Sequence, residues 1–384
     1  MRTTLGRLLA VLLVLLLATA AARAQPQPPE LATRQHLLVD LSSGRVLAER
    51  DADAALDPAG ATTLMTAHLV LTALQAGRLS RDAALPVSPR ARAERRPGAP
   101  LMYAEGTLPA ELLLRGLAAL GARDAAVALA EGVSGSVDAF VAQMARQSQA
   151  LGLAQTTFRS PGGAPAAGQT STVRDIARLA TRLVTDHPEA LPLFAQRRFE
   201  HAGVRQDNPN LLLARDASID GLAALASDTG GHGVVATALR ETPAGPRRLL
   251  VVLSGTASRE AAAGEAQKLL NWGWQAWDAV RLFADGQPVT TVPVWKGTRS
   301  QVPLGASGAL VVTVPRGEGA RLAVSISRTE PLVAPLLQGQ AVGRIEIATG
   351  GGTPVASVPL VVQQPVPLAG VLGRAWDAIR LWIR

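Results

Sequence analysis

The 384-residue chain contains no cysteine. That excludes disulfides, thiolate metal sites, a cysteine nucleophile and a lipid-modified N-terminal cysteine. Lysine is almost absent as well: only Lys268 and Lys296 occur, and arginine carries nearly all the basic charge. Any site built from residues 25–267 therefore has no lysine to use as a base. Metal-type histidine patterns are missing too. His36, His68, His187, His201 and His232 show neither i, i+4 spacing nor a carboxylate-flanked pair, so neither a metal nor a cofactor is expected. There is no G-x-S-x-G nucleophile elbow.

What is present is a chain long enough for two domains, 48% hydrophobic and only 18% charged. A sizeable buried core follows from those proportions. The first residues, MRTTLGRLLAVLLVLLLATAAARAQ, have three parts. Arg2 and Arg7 form a positive start, Leu8 to about Ala20 an apolar run, and Ala22-Arg23-Ala24 a small-x-small site. This is the pattern of a secretory signal, residues 1–24, cleaved near Ala24. An uncleaved membrane anchor is the alternative, although the apolar run is short for a spanning helix. Loss of Arg2, Arg7 and Arg23 lowers the formal charge from +8 to +5. An exported chain with that modest charge is not expected to bind nucleic acid.

The remaining sequence divides by its periodicities. QHLLVDLSSGRVLAERDAD has two short apolar runs around Ser42-Ser43-Gly44, a hairpin signal. Helical spacing follows over 61–75, 109–120, 124–132, 137–151 and 172–185. Strand-like runs return at 234–239 and 248–253. A helix-like AAAGEAQKLLNWGWQAWDAVRLF comes next. This order predicts an α/β (α+β) domain with a mainly antiparallel sheet over residues 25–283. From 284 to 363, short β-rich runs alternate with glycine and proline turns, which predicts a small all-β sandwich. A QQPVPL linker leads into a final helix within 364–384.

That final segment places Leu368, Val371, Leu372, Ala375, Trp376, Ile379, Trp382 and Ile383 on one helix face. Arg374, Asp377, Arg380 and Arg384 lie on the other. Too short and too charged to span a bilayer, it suits a helix lying in the interface of an anionic membrane. The competing reading is a helix docked on its own protein.

Catalytic expectations centre on DPAGATTLMTAH, Asp57–His68, which opens the first helical run. A serine at the start of a helix with a lysine one turn later sets a hydroxyl beside a candidate base. The stretch resembles the DPAS-x-TK-x-MT segment of the low-molecular-mass penicillin-binding D-alanyl-D-alanine carboxypeptidases. Asp57, Pro58, Ala59, Thr62, Met65 and Thr66 match, but Gly60 stands at the nucleophile position and Thr63 at the lysine position. LLRGLAALGARDAAVALAEG matches the flanks of the family's second motif, with Gly121-Ala122-Arg123 in place of S-G-N. SIDGLAAL keeps Asp220 and Gly221 before the third motif, with Ala223-Ala224-Leu225 in place of K-T-G. Further similarity in the first hairpin, in LGLAQTTF, STVRDIARLA and PVWKG, and in the position of the terminal helix extends over nearly the whole mature chain.

The resemblance implies a serine β-lactamase/transpeptidase-like fold, and all three catalytic motifs are degenerate. With nucleophile and base lost together, the covalent route to acyl transfer is gone, and penicillin acylation with it. The expectation is therefore a pseudoenzyme of the periplasm, peripheral on the outer face of the cytoplasmic membrane. Its expected partner is a peptidoglycan stem peptide or a cell-wall protein. The alternative is a family hydrolase with residual or altered activity in peptidoglycan maturation. His68 and His232 are the nearest histidines, and a structural role is expected for both. The sequence also predicts that Gly60, Gly121 and Ala223 converge in space.

Overall fold

The computed structural model describes residues 25–94, 106–371 and 376–377. The expected signal sequence lies outside them, as do the anchor residues Leu372, Arg374, Ile379, Arg380, Trp382 and Ile383.

Strands β1 (Gln35–Asp40) and β2 (Arg45–Arg50) form the expected hairpin. Helix α1 (Thr62–Gln75) follows, led by a 3-10 turn, Ala59–Ala61. A ribbon of β3 (Ala84–Pro86) and β4 (Thr107–Pro109) precedes α2 (Ala110–Leu120), α3 (Arg123–Ser134), α4 (Val137–Ala150) and α5 (Val173–Asp186). A small hairpin, β5 (Arg198–His201) and β6 (Val204–Asp207), leads to β7 (Ile219–Ser227), β8 (Gly231–Thr242) and β9 (Gly245–Thr256). Helix α6 (Arg259–Ala276) closes the domain. The main sheet is antiparallel, in the order β2-β1-β9-β8-β7.

Strand periodicity explains the layering. Leu250 and Val252 of β9 face the core under α1 to α5, while Leu249, Val251 and Leu253 face the core under α6. Leu37 and Leu38 of β1 divide in the same way. Successive side chains on a strand point to opposite faces, so one apolar run serves two cores. Each fully buried aliphatic side chain contributes about 1.5–3 kcal/mol. Helix α1 is enclosed, with eleven of its fourteen residues buried. Its polar Thr62, Thr63, Thr66 and His68 are buried along with its apolar residues, as suits a central helix. Two of the helices around it, α4 and α5, begin at hydroxyl caps: Ser136 accepts from the Ala139 amide, and Thr172 from that of Asp175.

The β-rich domain contains a two-stranded ribbon, β10 (Trp277–Phe283) with β13 (Leu310–Pro315). Its six-stranded sheet has the order β14-β16-β17-β12-β11-β15. These strands are β11 (Pro288–Trp295), β12 (Gln301–Gly305), β14 (Ala323–Arg328), β15 (Leu332–Val333), β16 (Ala341–Ala348) and β17 (Pro354–Val362). Val302, Leu304, Ile345, Leu360 and Val362 are fully enclosed between them.

Two expectations change. The helix read through Phe283 stops at Ala276, and the β-rich unit starts at Trp277 rather than at residue 284. Tertiary contacts override the helical spacing there. Trp277 is buried under the Arg45 guanidinium, 4.7 Å from its ring centroid, and its carbonyl accepts from Arg247 Nη1 at 2.9 Å. The second change is at the QQPVPL segment, which is not a free linker. Val366 is fully buried and exchanges two backbone hydrogen bonds with Leu336.

The seam between the domains rests on Asp40 and Arg247, a buried ion pair at 2.8 Å. Thr313 of β13 donates to the same carboxylate at 2.7 Å, joining the β-rich domain to the main sheet. Asp40→Ala leaves the arginine buried without its charge partner. It should cost about 3–5 kcal/mol, read as a lower denaturant midpoint, and an unchanged midpoint would refute this role.

Candidate active site

The site is assembled where α1 begins, beside the edge strand β7. Asp57 organises the entry. Its Oδ1 accepts from the Ala59 amide at 3.0 Å and from Gln169 Nε2 at 3.1 Å, and its Oδ2 accepts from Ser227 Oγ at 2.8 Å. One carboxylate thus fastens the first turn to the end of β7. Ala59 is held at φ +43°, a backbone conformation that side chains disfavour.

Gly60 follows, and its lack of a side chain is structural. A Cβ added there would lie 2.3 Å from the Ala224 carbonyl oxygen, well inside van der Waals contact. Gly163, at φ +69°, makes a second close approach on the other side, where a Cβ would lie 1.9 Å from the Ala59 oxygen. The turn at Gly60 is therefore clamped between β7 and the 160–163 segment, backbone against backbone. Thr66 Oγ1 donates to the Pro161 carbonyl at 2.7 Å and holds that segment on α1.

The positions expected for nucleophile and base carry other tasks. Thr63 is buried and donates its hydroxyl to the Gly60 carbonyl at 2.7 Å. Thr62 is fully buried, with no partner for Oγ1 among the described residues. Gly121 ends α2 in the left-handed conformation, φ +65°, and its amide bonds the Leu117 carbonyl. That is the usual role of a glycine after a helix. Arg123 opens α3 and reaches across to the same clamp, donating from Nη2 to the Gly163 carbonyl at 3.0 Å. Ala223 and Ala224 pair with Val235 and Val234 on β8, and Leu225 packs its side chain into the main core.

Gly60, Thr63, Gly121, Ala223 and Ala224 do meet, around a cavity of about 20 Å³. That volume holds about one water molecule. No ionisable side chain is among its lining residues.

The histidines are placed elsewhere. His68 is buried on α1, its Nε2 3.1 Å from Gln147 Nε2, and its ring meets His187 edge-on at 5.2 Å between centroids. Burial, and then the neighbouring His187, pushes its pKa down to about 4. His232 sits on β8 opposite Ala226. Lys268 Nζ bonds the Glu30 carbonyl from α6, and Lys296 belongs to the β-rich domain.

Sequence reasoning missed the 160–163 segment and the Asp57–Ser227 tie. The Ser160-Pro161-Gly162-Gly163 run is a turn signal, but nothing in it shows that the turn folds over α1.

Two outcomes follow. Gly60→Ala forces a Cβ against the β7 backbone and should cost about 1–3 kcal/mol. Gly121→Ala, which meets nothing within 4 Å, should cost only the left-handed strain of about 1 kcal/mol. Denaturant unfolding ranks the two, and equal losses would remove the clamp. The second outcome concerns acid. The unfolded imidazole of His68 binds a proton near 6.5, the folded one only near 4. Its share of stability is complete above 6.5 and is lost as pH falls through that interval, up to about 3 kcal/mol. His68→Leu should lose less stability than wild type between those pH values, and parallel curves would refute this.

Comparison with known proteins places this geometry. Residues 21–256 match the family model described as D-alanyl-D-alanine carboxypeptidase, and residues 277–368 match the penicillin-binding protein 5 C-terminal domain. The chain is 33% identical to D-alanyl-D-alanine carboxypeptidase DacA of Escherichia coli K12 over 363 residues, 93% of this chain and 89% of that protein. It is 34% identical to DacC of the same strain over 368 residues, 94% and 91% of the two chains. Penicillin-binding protein 5 from Haemophilus influenzae superposes with a TM-score of 0.82 at 28% identity, covering 89% of this chain and 99% of that one. The mixed domain with its antiparallel sheet and the β-rich domain after it are thus the fold of penicillin-binding protein 5, and the chain belongs to the D-alanyl-D-alanine carboxypeptidase family of low-molecular-mass penicillin-binding proteins.

Proposed function

We propose that this chain is a catalytically degenerate member of its family, a pseudoenzyme that keeps the carboxypeptidase scaffold without its chemistry. The observation that carries the reading is the cavity where the three motif regions meet. It holds about one water and has no ionisable lining residue. Acyl transfer through a serine needs a nucleophile, a base beside it and a pocket for the tetrahedral intermediate. Gly60 offers no nucleophile, and the Thr63 hydroxyl is committed to a backbone carbonyl.

Relatives named as D-alanyl-D-alanine carboxypeptidases point to peptidoglycan as the setting. Between a stem peptide and a cell-wall protein, the narrow cavity favours the protein, which engages an outer surface. The signal-like N-terminus and the amphipathic C-terminus support a periplasmic location on the outer face of the cytoplasmic membrane.

The test is direct. Purified mature protein incubated with a fluorescent penicillin should remain unlabelled, and it should release no D-alanine from a peptide ending in D-Ala-D-Ala. Covalent labelling, or release above a protein-free blank, would overturn the proposal in favour of a residual hydrolase.

A further inference from the structure

The six-stranded sheet of the β-rich domain has two edges. At one, β15 is two residues long. At the other, β14 pairs with β16 alone. Exposed edges are normally blunted by charge, proline, a bulge or a short length. The main sheet follows that rule. Its edge strand β2 carries Arg45, Glu49 and Arg50, and its other edge, β7, has a register shift between Ile219 and Gly221. Strand β14 reads AVSISR, with no charge before its last residue, no proline and an unbroken register with β16.

The core is unfinished at this edge. Val324 and Ile326 stand opposite Ile347 and Ile345 of β16, so they share the sheet face on which those two residues enter the core. Ile345 and Ile347 are 0% and 1% exposed, but Val324 and Ile326 are 39% and 38% exposed. The apolar layer thus runs to the edge and stops uncovered. The backbone is open at the same place. The Thr329 amide bonds the Val342 carbonyl, which fixes the alternation along the strand. Residues 323, 325, 327 and 329 bond toward β16, and 324, 326 and 328 turn their amides and carbonyls outward. Those outward groups have no backbone partner among the described residues.

The strand is complementary to itself. Two copies laid antiparallel about a two-fold axis at Ser325 put Val324 of each opposite Ile326 of the other. Both positions point their backbone outward and their side chains to one face, so each pair exchanges two hydrogen bonds and the two apolar layers join. Leu322, whose backbone is extended, meets Arg328 in the same way at each end. Arg328 is the one charge in the strand, and Glu330 already neutralises it. An axis at Ile326 would instead set Val324 against that arginine. A symmetric match of this kind is what an isologous contact between identical chains requires.

We propose that β14 is a self-association edge, through which two copies of this chain join their six-stranded sheets into one continuous sheet with Ser325 on the two-fold axis. The ribbon from Leu322 to Arg328 falls at the small end of interface sizes, so the dimer is weak and forms with rising concentration. The pairing is independent of what the Gly60 site binds or catalyses.

Because the chain has no cysteine, one introduced thiol reports the register. Ser325 faces its own copy across the axis in a non-hydrogen-bonded pair, where Cα atoms lie about 4.5 Å apart, within reach of a disulfide. Ser327 is exposed on the same edge, but its counterpart is Ala323, and the two copies of Ser327 lie about 14 Å apart. Mild oxidation of the purified mature chain should therefore link Ser325→Cys into a dimer on non-reducing gels and leave Ser327→Cys unlinked. Sedimentation equilibrium in mild detergent should show the wild-type mass rising from one chain to two with concentration. The mass of Ile326→Lys, which sets a charge in the joined apolar layer, should stay at one. Linking of both cysteine variants alike, linking of neither, a wild-type mass of one chain at every concentration, or a dimer that survives Ile326→Lys would each overturn the self-pairing.

Discussion

The Ala224 carbonyl of β7 occupies the space into which any side chain at position 60 would grow. The geometry of the site depends on this contact. It brings the backbone of an edge strand onto the first turn of the enclosed helix α1. Backbone approach of this kind requires glycine, and the same requirement recurs at Gly163. The surrounding chain has a packing arrangement that uses the absence of a side chain at Gly60.

The polar ties around this contact have the same character. Asp57 joins the helix start to Ser227, Arg123 joins α3 to Gly163, and Thr66 joins α1 to Pro161. Each satisfies a polar group in a partly or fully buried setting, where an unmade hydrogen bond is costly. At the other end of the domain, Asp40 and Arg247 hold the seam, and Thr313 extends that pair into the β-rich domain. The Lys296 loop, through Asp377, continues the series to the C-terminal segment.

Much of the fold was legible in the sequence, because local periodicity encodes it. The helices at 110–120, 137–150 and 173–186 lie within a residue or so of their apolar patterns. The family motifs located Gly60, Gly121 and Ala223, and these line one cavity. What was not legible came from distant partners. Helical spacing continues through Trp277, yet Arg45 and Arg247 from the main sheet draw that residue into a strand. The QQPVPL run has the composition of a linker, yet Val366 is fully buried. The 160–163 turn carries no mark of its place over α1.

By itself, the sequence determined the resemblance to the family, the order of elements, and the identities of Gly60 and Thr63 at the start of α1, since identity and periodicity are properties of the chain alone. Only the tertiary structure decided what surrounds Gly60. Whether a missing side chain leaves a groove or a contact depends on how close a second segment comes. Here β7 comes within contact distance, set by the packing of two cores on either side of its sheet.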